Sequence, residues 1–302
     1  MVGGTEEPLL RIGELSRRVG VSDHVLRAWE TRYGLLQPAR SAGGYRLYSE
    51  ADELRIRRMQ AYLGQGLFAA EAARAALRED TGAPDRGPHH PQTVEQATSS
   101  ITTELANALR DALDTFDEPA AQAALDRLVS DVSVATALRD VVVPYFTELG
   151  ERWQRGDISV AQEHFASNIV RGRLSGLARG WGSGRGPRAV LACPPGEDHD
   201  IALLVFGIML NRQGWRIDYL GANTPIDELA HTVDAAGADL VVLAATTPKV
   251  LTPLRRRLAA LAQHAPIALA GAGATPRFAN SVGARVMRDN PVTEAEQVPW
   301  PR

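Results

Sequence analysis

Apolar positions fall into three successive rhythms along the chain. Up to about Asp80 they recur three or four residues apart in short blocks. From Thr93 to Trp181 the same helical spacing continues in longer stretches of Ala, Leu and Val mixed with charges. Beyond Pro187, continuous apolar runs of strand length alternate with amphipathic helical blocks. Helical spacing predicts helices for the first two segments, and the short runs predict strands at Arg188–Cys193, Arg216–Leu220, Asp239–Ala244, Ile267–Gly271 and Ala284–Met287. Strands alternating with helices imply a parallel sheet with right-handed crossovers. Stretches rich in Gly, Pro and polar residues separate the segments, giving domains at 8–80, 93–181 and 187–295 with a linker at 81–92. His89 and His90 fall in that linker.

The first segment has the grammar of a helix-turn-helix. A helix from Arg11 stops at Gly20, and Ser22 caps a second helix that reaches Tyr33. The second helix carries Arg27, Trp29, Arg32 and Tyr33. A glycine pair, Gly43-Gly44, then lies between strand-like residues, predicting a tight hairpin in which Arg40, Tyr45, Arg46 and Tyr48 interleave charge with aromatic rings. That mixture suits phosphate contact and packing in a groove.

Composition narrows the class. The 302 residues are 44% hydrophobic and 23% charged with a net charge of −3, which places the chain among soluble proteins of two or three domains. No apolar run is long enough to cross a bilayer, and the first eight residues lack the pattern of a signal peptide, so no membrane contact and a cytoplasmic location are expected. One cysteine, Cys193, excludes an internal disulfide framework. Its strand context reads as a small buried apolar residue. The overall acidity conceals a basic module: between Pro8 and Arg78 there are twelve arginines against seven acids. An excess of that size is the footprint of a small nucleic-acid-binding unit.

The third segment carries the chemistry. Its first strand leads into Gly196-Glu197-Asp198-His199, just before the apolar run from Ile201 to Leu210. A histidine at the carboxyl end of a strand sits where open α/β sheets bind ligands. The acid two places earlier is placed to accept the second imidazole N–H, as in oriented metal-ligating histidines. Gly221 in the exit loop of the second strand, and Gly271-Ala272-Gly273 after the fourth, let backbone approach a flat ligand closely. In the helical segment, Trp153 precedes a turn, and Val160, Glu163, His164 and Ser167 share one face of the following helix. A tryptophan in a bundle is ordinarily core, and a Glu–His pair is often structural.

Leu26-Arg27-Ala28-Trp29-Glu30-Thr31-Arg32-Tyr33-Gly34-Leu35-Leu36, followed by Gly44-Tyr45-Arg46-Leu47-Tyr48, resembles the DNA-binding domain of the MerR family of transcription regulators. The likeness covers roughly Leu9 to Leu77. It implies a winged helix-turn-helix that binds near-palindromic, double-stranded promoter DNA as a dimer, with Arg17, Arg27, Arg32, Tyr33, Arg40, Tyr45, Arg46 and Tyr48 as DNA-contacting candidates. Glu197-x-His199 resembles the Glu/Asp-x-His-x-x-Gly motif of cobalamin-binding domains, whose fold is a flavodoxin/Rossmann-like parallel sheet. That likeness makes His199 the lower cobalt ligand, Glu197 its partner, and Gly221, Thr246, Gly271 and Gly273 further cofactor contacts. Two departures stand out: Ala202 replaces the motif's glycine, and Leu243-Ala244-Ala245-Thr246-Thr247 lacks the serine motif expected after the third strand.

The run Trp153-x9-Glu163-His164, directly upstream of that domain, resembles the four-helix bundle of CarH/LitR-type light-responsive regulators. There the bundle caps the upper face of adenosylcobalamin, with Trp153, Val160, Glu163 and His164 as the corresponding residues here. The resemblance implies a multidomain regulator, a repressor and not an enzyme, controlled by adenosylcobalamin and light and assembling as a homodimer or homotetramer. Some members have a histidine after the tryptophan that binds cobalt once light has expelled the adenosyl group; this chain has Gln154, a poor cobalt ligand. Two other classes stay open. A corrinoid methyl carrier also pairs a helical bundle with a cobalamin domain, and a regulator could sense another tetrapyrrole or a protein partner through a degenerate cobalamin fold.

Overall fold

A computed structural model describes residues 10–41, 43–64, 69–81 and 91–301. The linker histidines and most of the linker lie outside these residues. The chain divides into two compact units, Met1–Tyr145 and Phe146–Arg302.

The first unit opens with α1 (Ile12–Val19) and α2 (Asp23–Tyr33). Both helices end at glycines in the left-handed conformation, Gly20 and Gly34, and the Ser22 hydroxyl accepts the Val25 amide to start α2. These are the predicted boundaries. Strands β1 (Ala39–Arg40) and β2 (Arg46–Leu47) pair antiparallel as the predicted hairpin, and Leu10 bridges Tyr48 at its base. Helices α3 (Glu50–Gly64) and α4 (Ala69–Thr81) pack together, and they also touch α1 and α2 respectively. Leu15, Leu26, Leu35, Ile56 and Met59 are fully buried in this module. Then come α5 (Pro91–Asp114), α6 (Glu118–Asp131) and the short α7 (Val134–Ala137), followed by a π-helical turn at Leu138–Val142. Pro91 and Gln92, read as linker from composition, are the first turn of α5.

The division between units falls inside α8 (Val143–Arg155). The second unit continues with α9 (Val160–Leu177), opened by a reciprocal capping box between Ser159 and Gln162. The sheet follows, with β3 (Arg188–Ala192), β4 (Arg216–Gly221), β5 (Leu240–Ala244), β6 (Ile267–Ala270) and β7 (Arg285–Val286). All pairings are parallel, in the order β4-β3-β5-β6-β7. The connecting helices are α10 (Ile201–Arg212), α11 (Ile226–Ala236), α12 (Pro248–Leu251), α13 (Arg255–Leu261) and α14 (Pro276–Val282), and α15 (Pro291–Glu296) closes the chain. One face of the sheet buries Val190, Val241, Leu243 and Leu269 under α11, α13 and α14. Against the other lies α10, buried from Leu203 to Leu210 because it packs on the sheet, α9 and α15 together.

This strand order reverses direction at β3. A ligand crevice is therefore expected where the loops after β3 and β5 part.

Candidate functional site

Those two loops are tied together by one carboxylate. Glu197 is 2% exposed. Its Oε1 takes the His199 ring Nδ1 at 2.6 Å and the His199 amide at 3.0 Å. Its Oε2 takes the Thr246 amide at 2.6 Å and the Thr246 hydroxyl at 2.7 Å. Burial alone would push this carboxyl up; the donors from Thr246 and His199 outweigh it and hold the group below its usual range. Four donors on one carboxylate fix the imidazole in orientation and leave Nε2 as the ring's outward nitrogen. The His199 side chain is 72% exposed. An imidazole with one nitrogen anchored on a carboxylate and its ring exposed is the arrangement a metal-ligating histidine needs. Thr246 thus supplies the hydroxyl for which the serine-less motif had suggested no donor.

Around this triad the backbone is drawn in close. A Cβ built on Gly271 would lie 2.4 Å from the Ala245 carbonyl oxygen, and one on Gly273 would lie 2.6 Å from the Thr247 carbonyl. Both glycines let the loops after β5 and β6 touch, so they shape the crevice through backbone packing. Gly221 has φ of 76° and is needed for its turn. A cavity of about 320 Å³ opens beside Gly271, Ala272, Met287 and Arg288. Ala202, which stands in for the motif's glycine, is an exposed residue in the first turn of α10, outside the core. Cys193 is fully buried, and burial pushes its thiol up to about 12, so it is an apolar packing group as predicted.

The candidate cap lies in the same unit. Trp153, at the end of α8, is 52% exposed and Val160, at the start of α9, is 56% exposed. The His164 side chain is 69% exposed and approaches Glu163 at 3.5 Å, while Ser167 donates to Glu163 at 2.7 Å. None of Trp153, Val160 and His164 is a core residue, which removes the structural reading of the tryptophan. A large apolar ring held out to solvent, in the same unit as an exposed polar pair, suits contact with a flat cofactor. Together with the anchored, open His199 and the glycine-lined crevice, this donor set suits a cobalamin.

In the first unit the predicted DNA residues divide into three groups. Arg27 and Arg40 are exposed with no hydrogen bond or ion pair among the described residues, and Tyr45 is 61% exposed on the hairpin with Arg11 over its ring. Arg17 is exposed and paired with Glu14 on its own helix. Arg46 bonds Glu30 at 2.9 Å, which ties the hairpin to α2. Tyr48 is a correction: it is fully buried and donates to Glu30 at 2.9 Å, so it braces the hairpin and offers no surface to a duplex. Burial and that carboxylate push its hydroxyl well up. Arg32 and Tyr33 both bond Asp131 at the end of α6, at 2.6 and 3.3 Å. Trp29 donates its ring N–H to the Ser130 carbonyl at 3.4 Å, and His24 lies 3.5 Å from Asp126. Nothing in local spacing marked α6 as a partner of α2, since these contacts span about a hundred positions of the chain.

Residues 10–79 match the MerR HTH family regulatory protein model, while 105–177 and 187–296 each match a B12 binding domain model. The HTH-type transcriptional repressor CarH of Myxococcus xanthus is 31% identical over 277 residues, covering 89% of this chain and 90% of that protein. This chain belongs to the MerR-type, B12-binding transcriptional regulators. The HTH-type transcriptional repressor CarA of the same organism is 34% identical over 78% of this chain and 75% of its own. Among solved structures, a Methanosarcina barkeri monomethylamine corrinoid protein superposes with a TM-score of 0.54 at 17% identity, covering 65% of this chain and 97% of its own. That likeness is one of fold. Membership in this family makes the chain a DNA-binding regulator with a cobalamin cofactor, and not an enzyme. No helix among the described residues is long and apolar enough to cross a membrane.

Proposed function

We propose that this regulator is a repressor whose hold on double-stranded promoter DNA requires adenosylcobalamin and is released by light. The single observation that carries the reading is His199: its Nδ1 is locked by the buried Glu197 and its Nε2 is open, in the same unit as the exposed Trp153. His199 would hold the cobalt through Nε2, with Thr246 setting the charge and position of Glu197. Trp153, Val160, Glu163 and His164 would enclose the upper ligand. When bound, adenosylcobalamin supplies a cobalt–carbon bond that visible light breaks. Gln154 offers only a neutral amide, so the reading includes no second protein ligand at that position.

DNA binding falls to Arg27, Arg32, Arg40, Tyr45 and Arg46. One such module makes few phosphate contacts, so useful affinity needs two or more on one operator. A homodimer or homotetramer would make the second contact intramolecular and raise affinity by orders of magnitude, about 10²–10⁴-fold. The cofactor would act by favouring that assembly, which shifts the population toward the DNA-bound form. As a regulator of promoters the protein works in the cytoplasm.

The deciding experiment is the visible spectrum of the protein mixed with adenosylcobalamin in the dark. Histidine-ligated cobalt is expected, and His199→Ala should abolish it; a free-cofactor spectrum from the unaltered protein overturns the reading. A gel shift on the operator should then be present in the dark and lost on illumination. Equal shifts in both would leave a cofactor sensor without a light response.

A further inference from the structure

Asp200 directly follows His199 and occupies the N-cap position of α10, yet its side chain makes no capping bond. An aspartate there ordinarily accepts an amide of the first helical turn. Here the carboxylate, on a residue 6% exposed, is turned to two other partners. Oδ1 takes the guanidinium of Arg171, on α9, and Oδ2 takes the hydroxyl of Tyr219, on β4, at 2.8 Å. The loop that presents His199 is therefore pinned at both ends. Glu197 fixes its start to the loop after β5, and Asp200 fixes its end to α9 and β4.

Arg171 stands on an informative stripe of α9. Glu163, Ser167 and Arg171 are spaced four apart, so they share one face, and Ser167 already donates to Glu163 at 2.7 Å. Eight residues of helix put the candidate cap pair and the Asp200 latch about 12 Å apart on one rigid element. A rigid helix tied at one end to the residue beside His199 sets where its other end stands. Nothing in the proposed cofactor contacts uses Arg171, Asp200 or Tyr219.

We infer that the Arg171–Asp200–Tyr219 network is the strut that fixes the separation between His199 and the cap residues on α9, and so selects the size of the upper cobalt ligand. Arg171 and Asp200 are positioning residues, with Tyr219 holding the Asp200 carboxylate in line. The inference rests on the cobalamin reading given above. With the strut intact, the gap suits a bulky adenosyl group; with it cut, α9 is free to settle, and a small methyl group is accepted nearly as well.

The test is equilibrium titration of the full chain in the dark with adenosylcobalamin and with methylcobalamin, followed by visible absorption. Arg171→Gln and Asp200→Asn should keep the histidine-ligated spectrum with both cobalamins, while the wild-type preference for the adenosyl form falls at least about tenfold. Arg171→Lys should restore most of the preference, and Tyr219→Phe, which removes one hydrogen bond and little volume, should lower it about threefold. Folded Arg171→Gln and Tyr219→Phe proteins that keep the wild-type ratio within about twofold overturn the inference. So does an Asp200→Asn protein that loses the spectrum with both cobalamins, because Asp200 would then belong to the cobalt site itself. Should Arg171→Gln fail to fold, the Tyr219→Phe ratio decides alone. A wild-type protein without the spectrum, or without a preference, instead defeats the cobalamin or adenosyl reading before any variant is made.

Discussion

Asp131 Oδ1 accepts from Arg32 Nη1 at 2.6 Å, which joins the last turn of α2 to the end of α6. Tyr33 shares the same oxygen, and burial together with Asp131 pushes its hydroxyl up to about 12. An arginine committed to an internal carboxylate has to give it up before it can meet a phosphate. Asp131→Asn is therefore expected to raise operator affinity. A partly exposed ion pair is worth up to about 1 kcal/mol, which corresponds to at most about fivefold. Fluorescence anisotropy with labelled operator checks this, and an unchanged or lower affinity would mean that Arg32 stays on α6 when DNA binds.

Arg27 and Arg40 make no side-chain hydrogen bond or ion pair among the described residues. Arg27→Ala and Arg40→Ala should each weaken binding to all sequences alike and lower the slope of log affinity against log salt by about one. The slope is read from titrations between low and moderate salt. Tyr48→Phe should leave that slope unchanged, since the Tyr48 ring is buried and its hydroxyl is turned to Glu30.

Glu197→Gln keeps the shape of the buried side chain but removes its charge. Thr246 and His199 lose a charged acceptor, so thermal unfolding of the cofactor-free protein should show a loss of about 1.5–3 kcal/mol. Cobalamin affinity should fall by about 10–100-fold, the usual effect of removing a ligand's orienting partner. Thr246→Val should cost less, because the backbone amide of residue 246 remains to bond Glu197.

The same group predicts a pH dependence. The folded-state value of Glu197 is held below its unfolded value, so its stabilisation is fully present above about pH 4.5 and disappears as the pH falls through the folded value. Stability measured by denaturant titration should therefore decline below about pH 4.5, and less steeply in Glu197→Gln. Asp140 acts in the opposite sense, since burial raises its carboxyl and protonation relieves the strain of burying charge. An identical decline in both proteins would assign the acid sensitivity to other groups.

Two glycines of the crevice should respond differently to a methyl group. Gly273→Ala would put Cβ within 2.6 Å of backbone atoms that have no rotamer to change. A cost of about 1–3 kcal/mol and loss of cobalamin binding are expected. In Gly221→Ala the nearest atom is the Tyr219 ring at 3.5 Å, and the main penalty is the positive φ, about 1–2 kcal/mol. Melting curves with and without cofactor separate the two.

Much of the architecture was legible along the chain because the signals are local. Gly20, Ser22 and Gly34 bound their helices by backbone preference, and apolar runs of four to six residues became β3 to β6 with ends displaced by a residue or so. Glu197 and His199 are two residues apart, so their bond too could be anticipated from spacing. Tyr48 was misjudged because an aromatic residue on a basic hairpin looks the same in sequence whether it faces solvent or Glu30.

What the sequence determined by itself was the family of elements: a helix-turn-helix with its hairpin, a helical segment, a parallel sheet, and a histidine at the end of its first strand. Periodicity, caps and glycine positions act within a few residues and need no tertiary partner. Only the folded structure decided that Thr246 completes the Glu197–His199 pair, that Asp200 forgoes its cap to hold Arg171 and Tyr219, and that Asp131 holds Arg32. Each of those bonds joins residues 19 to 99 positions apart. A carboxylate chooses its donors by which are brought within about 3 Å in a site shielded from water, and packing of distant elements sets that distance.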